Sequence, residues 1–94
     1  MQRLVEFDRF GKLPSASDLT DKGDVVILGA EFITVGGGNW TVIEVEVPYH
    51  VTPLKYVVWS YTIGNTLREA AAAQAFPLLA EFGWDSKTKK LVVK

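Results

Sequence analysis

The sequence predicts a small all-β barrel carrying one helix, and three observations predict it. Strand-like runs lie on both sides of a single Ala-rich helical run, the connections between them are short and polar or glycine-rich, and the composition suffices for one core. The runs are Asp24 to Val35, Asn39 to Val47 and Lys55 to Ile63, then the helix Asn65 to Ala75, then Pro77 to Asp85 and Lys90 to Lys94. Their order is β-β-β-α-β-β. Ninety-four residues, 48% hydrophobic, are enough for one domain with its own core but with little spare stability.

Residues 1–17 mix charge with a few large hydrophobes (Leu4, Val5, Phe7, Phe10, Leu13) and read as an N-terminal arm, the barrel domain spanning 18–94. The apolar residues of the arm would pack on the barrel or on a second subunit. Small polar side chains from Ser17 to Asp21 favour a turn or a single helical turn, because they bond nearby backbone N–H groups. In the first strand both faces are largely apolar, with Val26, Leu28, Ala30 and Phe32 on one and Val25, Ile27, Gly29, Glu31 and Ile33 on the other. That is the pattern of a curved strand covered on both sides. Gly29 inside it marks a bend or bulge.

Gly36-Gly37-Gly38 supplies the positive φ values of a strand-joining turn. No Lys-Ser/Thr pair and no helix follows these glycines, so they are not a phosphate loop. The second strand alternates cleanly, with Ile43, Val45 and Val47 toward the core and Trp40, Val42, Glu44 and Glu46 outward. After the Pro48–Pro53 loop, the third strand has two faces that alternation alone does not separate. The more apolar set places Val57 and Ile63 inward with Trp59 as a core anchor, leaving Tyr56, Val58, Ser60 and Thr62 outside. The reverse parity would make Trp59 and Tyr61 the exposed pair.

Asn65 or Thr66 would cap the helix, since either side chain accepts a bond from the first free N–H groups. Its stripe of Leu67, Ala70, Ala71, Gln74 and Ala75 is made of small residues, which let a helix approach a sheet closely. Phe76-Pro77 ends it, because proline disfavours helical geometry in the residue before it. Leu78, Ala80, Phe82 and Trp84 then share one face of the fourth strand, with Trp84 expected in the core. A polar turn, Asp85 to Lys89, leads to the final strand.

Several function classes fall away on composition. Ten Lys and Arg against 11 Asp and Glu leave a formal net charge of -1, so a polyanion partner would need a locally basic groove. The absence of cysteine excludes disulfides, thiolate metal ligands and a cysteine nucleophile, and a cytoplasmic location is the default expectation. No apolar run approaches the roughly 20 residues of a membrane helix, and no signal-type stretch opens the chain, so no membrane partner is expected.

His50 stands alone in a loop without ligand-type neighbours. Glu44 and Glu46 lie about 7 Å apart on one strand face and read as a solvated surface. With no nucleophile-base pair and no metal-ligand or cofactor motif, the expectation is a non-enzyme with no catalytic residue, no metal and no cofactor.

The element order is that of a five-stranded OB Greek-key barrel. Particular stretches go further. Asp18-Leu19, the run Lys22-Gly23-Asp24-Val25-Val26-Ile27-Leu28-Gly29, the strand Trp40-Thr41-Val42-Ile43-Glu44-Val45-Glu46, the segment Ser60 to Leu67 and the return through Phe76-Pro77 together resemble a compact OB-fold family. That family is the single-stranded-DNA-binding-like one of phages and prokaryotes. The resemblance covers residues 18–94 and implies an OB barrel that binds single-stranded DNA or RNA. One departure stands out: DNA binders of that family carry several Lys or Arg near strands two and three, where this chain has Glu44 and Glu46.

Eleven aromatic residues supply stacking surfaces for bases, each worth about 1–3 kcal/mol. On the parity chosen above, Trp40 and Tyr56 are the leading platform, with Trp59 and Tyr61 beside them on the third strand. Lys55 and the cluster Lys87, Lys89 and Lys90, in the loop between the last two strands, would contact phosphates. The expected function is sequence-tolerant single-stranded DNA binding through stacking and a few basic contacts. The alternative is a protein-interaction or assembly module, a small accessory or phage-encoded subunit, which binds a protein partner or forms a homo-oligomer without nucleic acid.

Overall fold

One long strand organises the fold. In the computed structural model, which describes residues 13–35 and 38–94, β1 (Asp24–Val35) is shared by two antiparallel ladders. Asp24 to Ile27 pair with β4 (Leu78–Asp85), and Val26 to Val35 pair with β2 (Gly38–Glu46). β3 (Leu54–Val58) extends β2, and β5 (Lys90–Val93) extends β4, giving the sheet order β3-β2-β1-β4-β5. The sheet curls into a half-barrel with one α-helix, α1 (Tyr61–Ala72), between β3 and β4. The order β-β-β-α-β-β is therefore the one expected. Residues 1–12, with Leu4, Val5, Phe7 and Phe10, and the pair 36–37 of the glycine turn lie outside the described residues.

The curl has a local cause at Gly29. The β1–β2 register slips between Ile27 and Gly29, so Leu28 is an extra residue on β1. A bulge of this kind bends its strand and exchanges the faces beyond it. Val25 and Ile27 point to the core before it, whereas Ala30 and Phe32 pack against the same core after it. A regular alternation would have put these two pairs on opposite faces.

The main core joins Val25 and Ile27 to Ile43, Val45 and Val47 of β2 and its exit, Tyr56 and Val58 of β3, Ile63 and Leu67 of α1, and Ala80 and Phe82 of β4. Ala16 and Leu19, in the 3-10 turn Ala16–Leu19, are fully buried in it. This turn crosses the boundary drawn at residue 17. It is tied to β3 by the Val57 N–H donating to the Pro14 carbonyl at 2.9 Å. A second, smaller cluster sits on the other face of the sheet, where Val42 and Val57 are covered by Leu13, Ile33 and Trp40.

Two expectations are corrected around β3. The strand stops at Val58, not Ile63, and the helix starts at Tyr61, four residues before Asn65. Ser60 is the cap: its Oγ accepts from the Ile63 N–H at 3.2 Å, and its carbonyl accepts from the Gly64 N–H at 2.9 Å. Parity is also reversed, with Tyr56 only 6% exposed inside the core and Trp59 outside it. Val57, expected in the main core, is buried in the cluster on the opposite face. The helix ends at Ala72, earlier than expected, in a Schellman arrangement in which Ala75 N–H donates to the Ala70 carbonyl and Gln74 N–H to the Ala71 carbonyl. Gln74 takes the left-handed φ of 55° that this stop requires.

Candidate nucleic-acid interface

The chain leaves β3 at Val58 in extended geometry and turns into α1 at the Ser60 cap, which places Trp59 and Tyr61 on either side of that corner. Both rings are exposed, Trp59 at 57% and Tyr61 at 78%. Across from them the β4–β5 hairpin contributes Trp84, 55% exposed, together with Lys90 and Leu91. These side chains and Ser15 enclose an open cavity of about 430 Å³. Three aromatic rings thus face one groove with a lysine at its wall.

Trp84 was expected in the core and is not there. It lies on the same face of β4 as Ala80 and Phe82, but next to the final hairpin turn, where the core has ended. Alternation identifies a face and is silent on how far the core extends along it. Only the position of Trp84, one residue before the strand's last, signals this exposure in the sequence.

Asp85 holds the hairpin turn in shape. Its carboxylate accepts from the backbone N–H of Lys87 at 2.9 Å and of Thr88 at 3.4 Å. Those hydrogen bonds favour the ionised form and hold the Asp85 carboxyl below the usual carboxylate range. Lys89 completes the turn with a φ of 54°. Lys87, Lys89 and Lys90 are all exposed, and of the three Lys90 reaches the aromatic groove.

The remaining expected site residues divide. Trp40 is half-buried and meets Trp59 edge to face, with ring centroids 4.8 Å apart and planes at 82°. It therefore extends the aromatic surface behind Trp59. Tyr56, placed on the outer face by the sequence reading, is corrected to a core residue, and burial followed by the nearby charge of Asp18 pushes its phenol above the ordinary value. Lys55 is exposed on the outer face of β3, but its ammonium lies 3.6 Å from the Glu31 carboxylate, and Glu44 is its cross-strand neighbour. That patch carries two acids to one base. It is a poor landing place for phosphate.

Arg68 sits on the other side of the corner. Its guanidinium lies 4.6 Å from the centroid of the Phe32 ring. A second cavity of about 270 Å³, lined by Trp59, Tyr61 and Arg68 among others, adjoins the aromatic groove through their shared residues. Among the described residues, no cluster of three or more His, Cys, Asp or Glu converges as a metal site would require. No helix of the described residues is long and apolar enough to cross a membrane.

Comparison with protein-family models, with curated proteins and with solved structures returns no match for this chain.

Proposed function

We propose that this chain is an OB-type barrel that binds single-stranded nucleic acid, with DNA as the leading substrate, in the groove between the β3–α1 corner and the β4–β5 hairpin. The observation that carries this reading is the convergence of Trp59, Tyr61 and Trp84, each more than half exposed, on one cavity beside Lys90. Large rings normally leave water on folding, so three of them around one concave surface suit planar apolar ligands with a charged backbone. Bases stack on such rings with little regard for sequence. The OB assignment is supported by β1 serving two ladders across a bulge and by the helix between β3 and β4.

The test is titration of the full chain with oligothymidylate at low salt, read by tryptophan emission. Quenching that saturates is expected, and Trp59→Ala and Trp84→Ala should each weaken binding by about 1–3 kcal/mol. Both positions are exposed, so melting temperature should change little. No saturable quenching at low salt rejects the reading. It would then favour the second one, a protein-interaction module, for which the specific observation is an apolar groove of about 620 Å³ between α1, β4 and β5 where Leu79 is 68% exposed.

A further inference from the structure

The groove between α1, β4 and β5 is polar at one end and apolar at the other. Its helical wall follows the spacing Ile63, Leu67 and Ala70, with Thr62 and Thr66 along one flank. Its sheet wall includes Ile27 of β1, Ala80 and Phe82 of β4 and Leu91 of β5. Alanine stands at both 70 and 80, so the space that two larger side chains would have filled stays open, as about 620 Å³. Small-ligand sites usually enclose about 300–1,000 Å³.

Along the β1–β4 ladder every side chain that lines the groove is apolar (Ile27, Leu78, Leu79 and Ala80), and Leu79 is left 68% exposed. At the opposite end, where the groove adjoins the aromatic one, the residues common to both are Ser60, Thr62, Lys90 and Leu91. Lys90 is the one charged side chain among the described residues that line the groove. It pairs with no carboxylate among the described residues, unlike Lys55, which Glu31 holds at 3.6 Å, and Lys94, which Glu81 holds at 3.7 Å. A lysine stem lies readily on an apolar wall while its ammonium stays in water.

This arrangement selects a ligand divided the same way. A wholly apolar molecule would leave the ammonium and the hydroxyls unmatched, and a polyanion would have no use for the apolar end. One cation matches a singly charged head. From Thr62 to Ala70 the helical wall runs for about 12 Å at about 1.5 Å per residue, the reach of a medium-length alkyl chain.

We infer that this groove binds a small anionic amphiphile, an alkyl carboxylate of medium chain length, with its head at Lys90 and its tail along Leu67, Ala70 and Leu79. The tail covers apolar surface that otherwise stays in water. The inference goes beyond the nucleic-acid reading and does not rest on it, since the two grooves share only the end at Lys90.

The experiment is titration of the full chain with hexanoate, octanoate and decanoate at constant ionic strength, following the methyl resonances of Leu67, Leu79 and Leu91. Decanoate should shift them saturably, and affinity should rise about three- to fourfold per added methylene along the series. Ala70→Phe fills the groove from a half-buried position of α1 and should weaken decanoate about tenfold or more as the tail loses its place. Should that variant fail to fold, Leu79→Ser, at a side chain already 68% exposed, tests the same end and should weaken decanoate several-fold. Lys90→Gln should weaken octanoate about threefold or more and leave neutral octanol unchanged. Lys22→Gln removes the same charge elsewhere and should alter neither.

Shifts that never saturate, an affinity flat with chain length, or undiminished binding in the folded groove variants overturn the site. An equal loss of octanoate in Lys90→Gln and Lys22→Gln does the same. So does a wild-type dimer in sedimentation that Leu79→Ser returns to monomer, which would put a second copy in the groove. Indifference to every alkyl carboxylate also overturns it and leaves the groove to a protein partner. Oligothymidylate binding is read separately: its absence leaves the amphiphile site standing, and failure of the carboxylates leaves the nucleic-acid reading standing.

Discussion

Tyr56 shows what a single side chain decides in this fold. Its ring lies in the main core, while its phenol is pushed above the ordinary value first by burial and second by Asp18. The folded state therefore disfavours the phenolate more than the unfolded chain does. A raised value means that Tyr56 contributes its full stability below the unfolded value near 10, and that this contribution is lost as pH rises through the folded value. Alkaline unfolding above about pH 10 is expected to lessen in Tyr56→Phe, measured by melting curves across pH. In Asp18→Asn the titration of Tyr56, followed by ring carbon shifts, should move down toward the ordinary value. Tyr56→Ala should destabilise by about 3–5 kcal/mol through lost burial and a residual cavity. An unchanged melting temperature in Tyr56→Ala would place this ring outside the core.

At the scale of elements, α1 is held by its two ends. Ser60→Ala removes the side-chain acceptor for Ile63 N–H and should cost about 1 kcal/mol, or about 4–8 °C in melting temperature for a domain of this size. Gln74→Gly should act in the opposite sense. Gln74 occupies the left-handed stop at φ 55°, where a Cβ is strained, so glycine should gain about 0.5–1 kcal/mol despite its greater unfolded freedom. A loss of stability in Gln74→Gly would mean that the glutamine side chain holds the stop.

Most elements were legible in the sequence, and this corner was not, for a physical reason. Tyr61, Thr62 and Ile63 are strand-favouring residues that continue the alternation of Lys55 to Val58, so local preference extends the strand. Capping at Ser60 and burial of Ile63 and Leu67 against the sheet override it. With the strand read too long, its parity was free to slip, and one residue of slip exchanges Tyr56 for Trp59 in the core. The Gly29 bulge, by contrast, was legible because a glycine inside a strand has few other uses. Trp59, Tyr61 and Lys90 were all named from sequence, but their meeting with Trp84 depends on a corner and a hairpin that only the folded sheet brings together.

For the whole molecule the deciding quantity is charge. A chain with a formal net charge of -1 draws no nucleic acid by bulk field, so affinity must come from the few cations that flank the aromatic groove. Lys90 lines it, Lys87 and Lys89 stand on the adjoining turn, and Arg68 lies across the Trp59 corner. Lys55 is discounted because Glu31 already holds it. That leaves about two to four phosphate contacts, and at about -0.7 per contact for single strands the log-log dependence of affinity on salt should have a slope of roughly -1.5 to -3. Removing one contributor, as in Lys90→Gln, should flatten the slope by about 0.7 and leave the stacking contribution in place. Trp84→Ala should do the converse, lowering affinity at every salt concentration with the slope unchanged. A slope steeper than about -5 demands more cations than this surface offers, and would require several copies of the chain to share one strand, which a dependence of the slope on protein concentration would reveal.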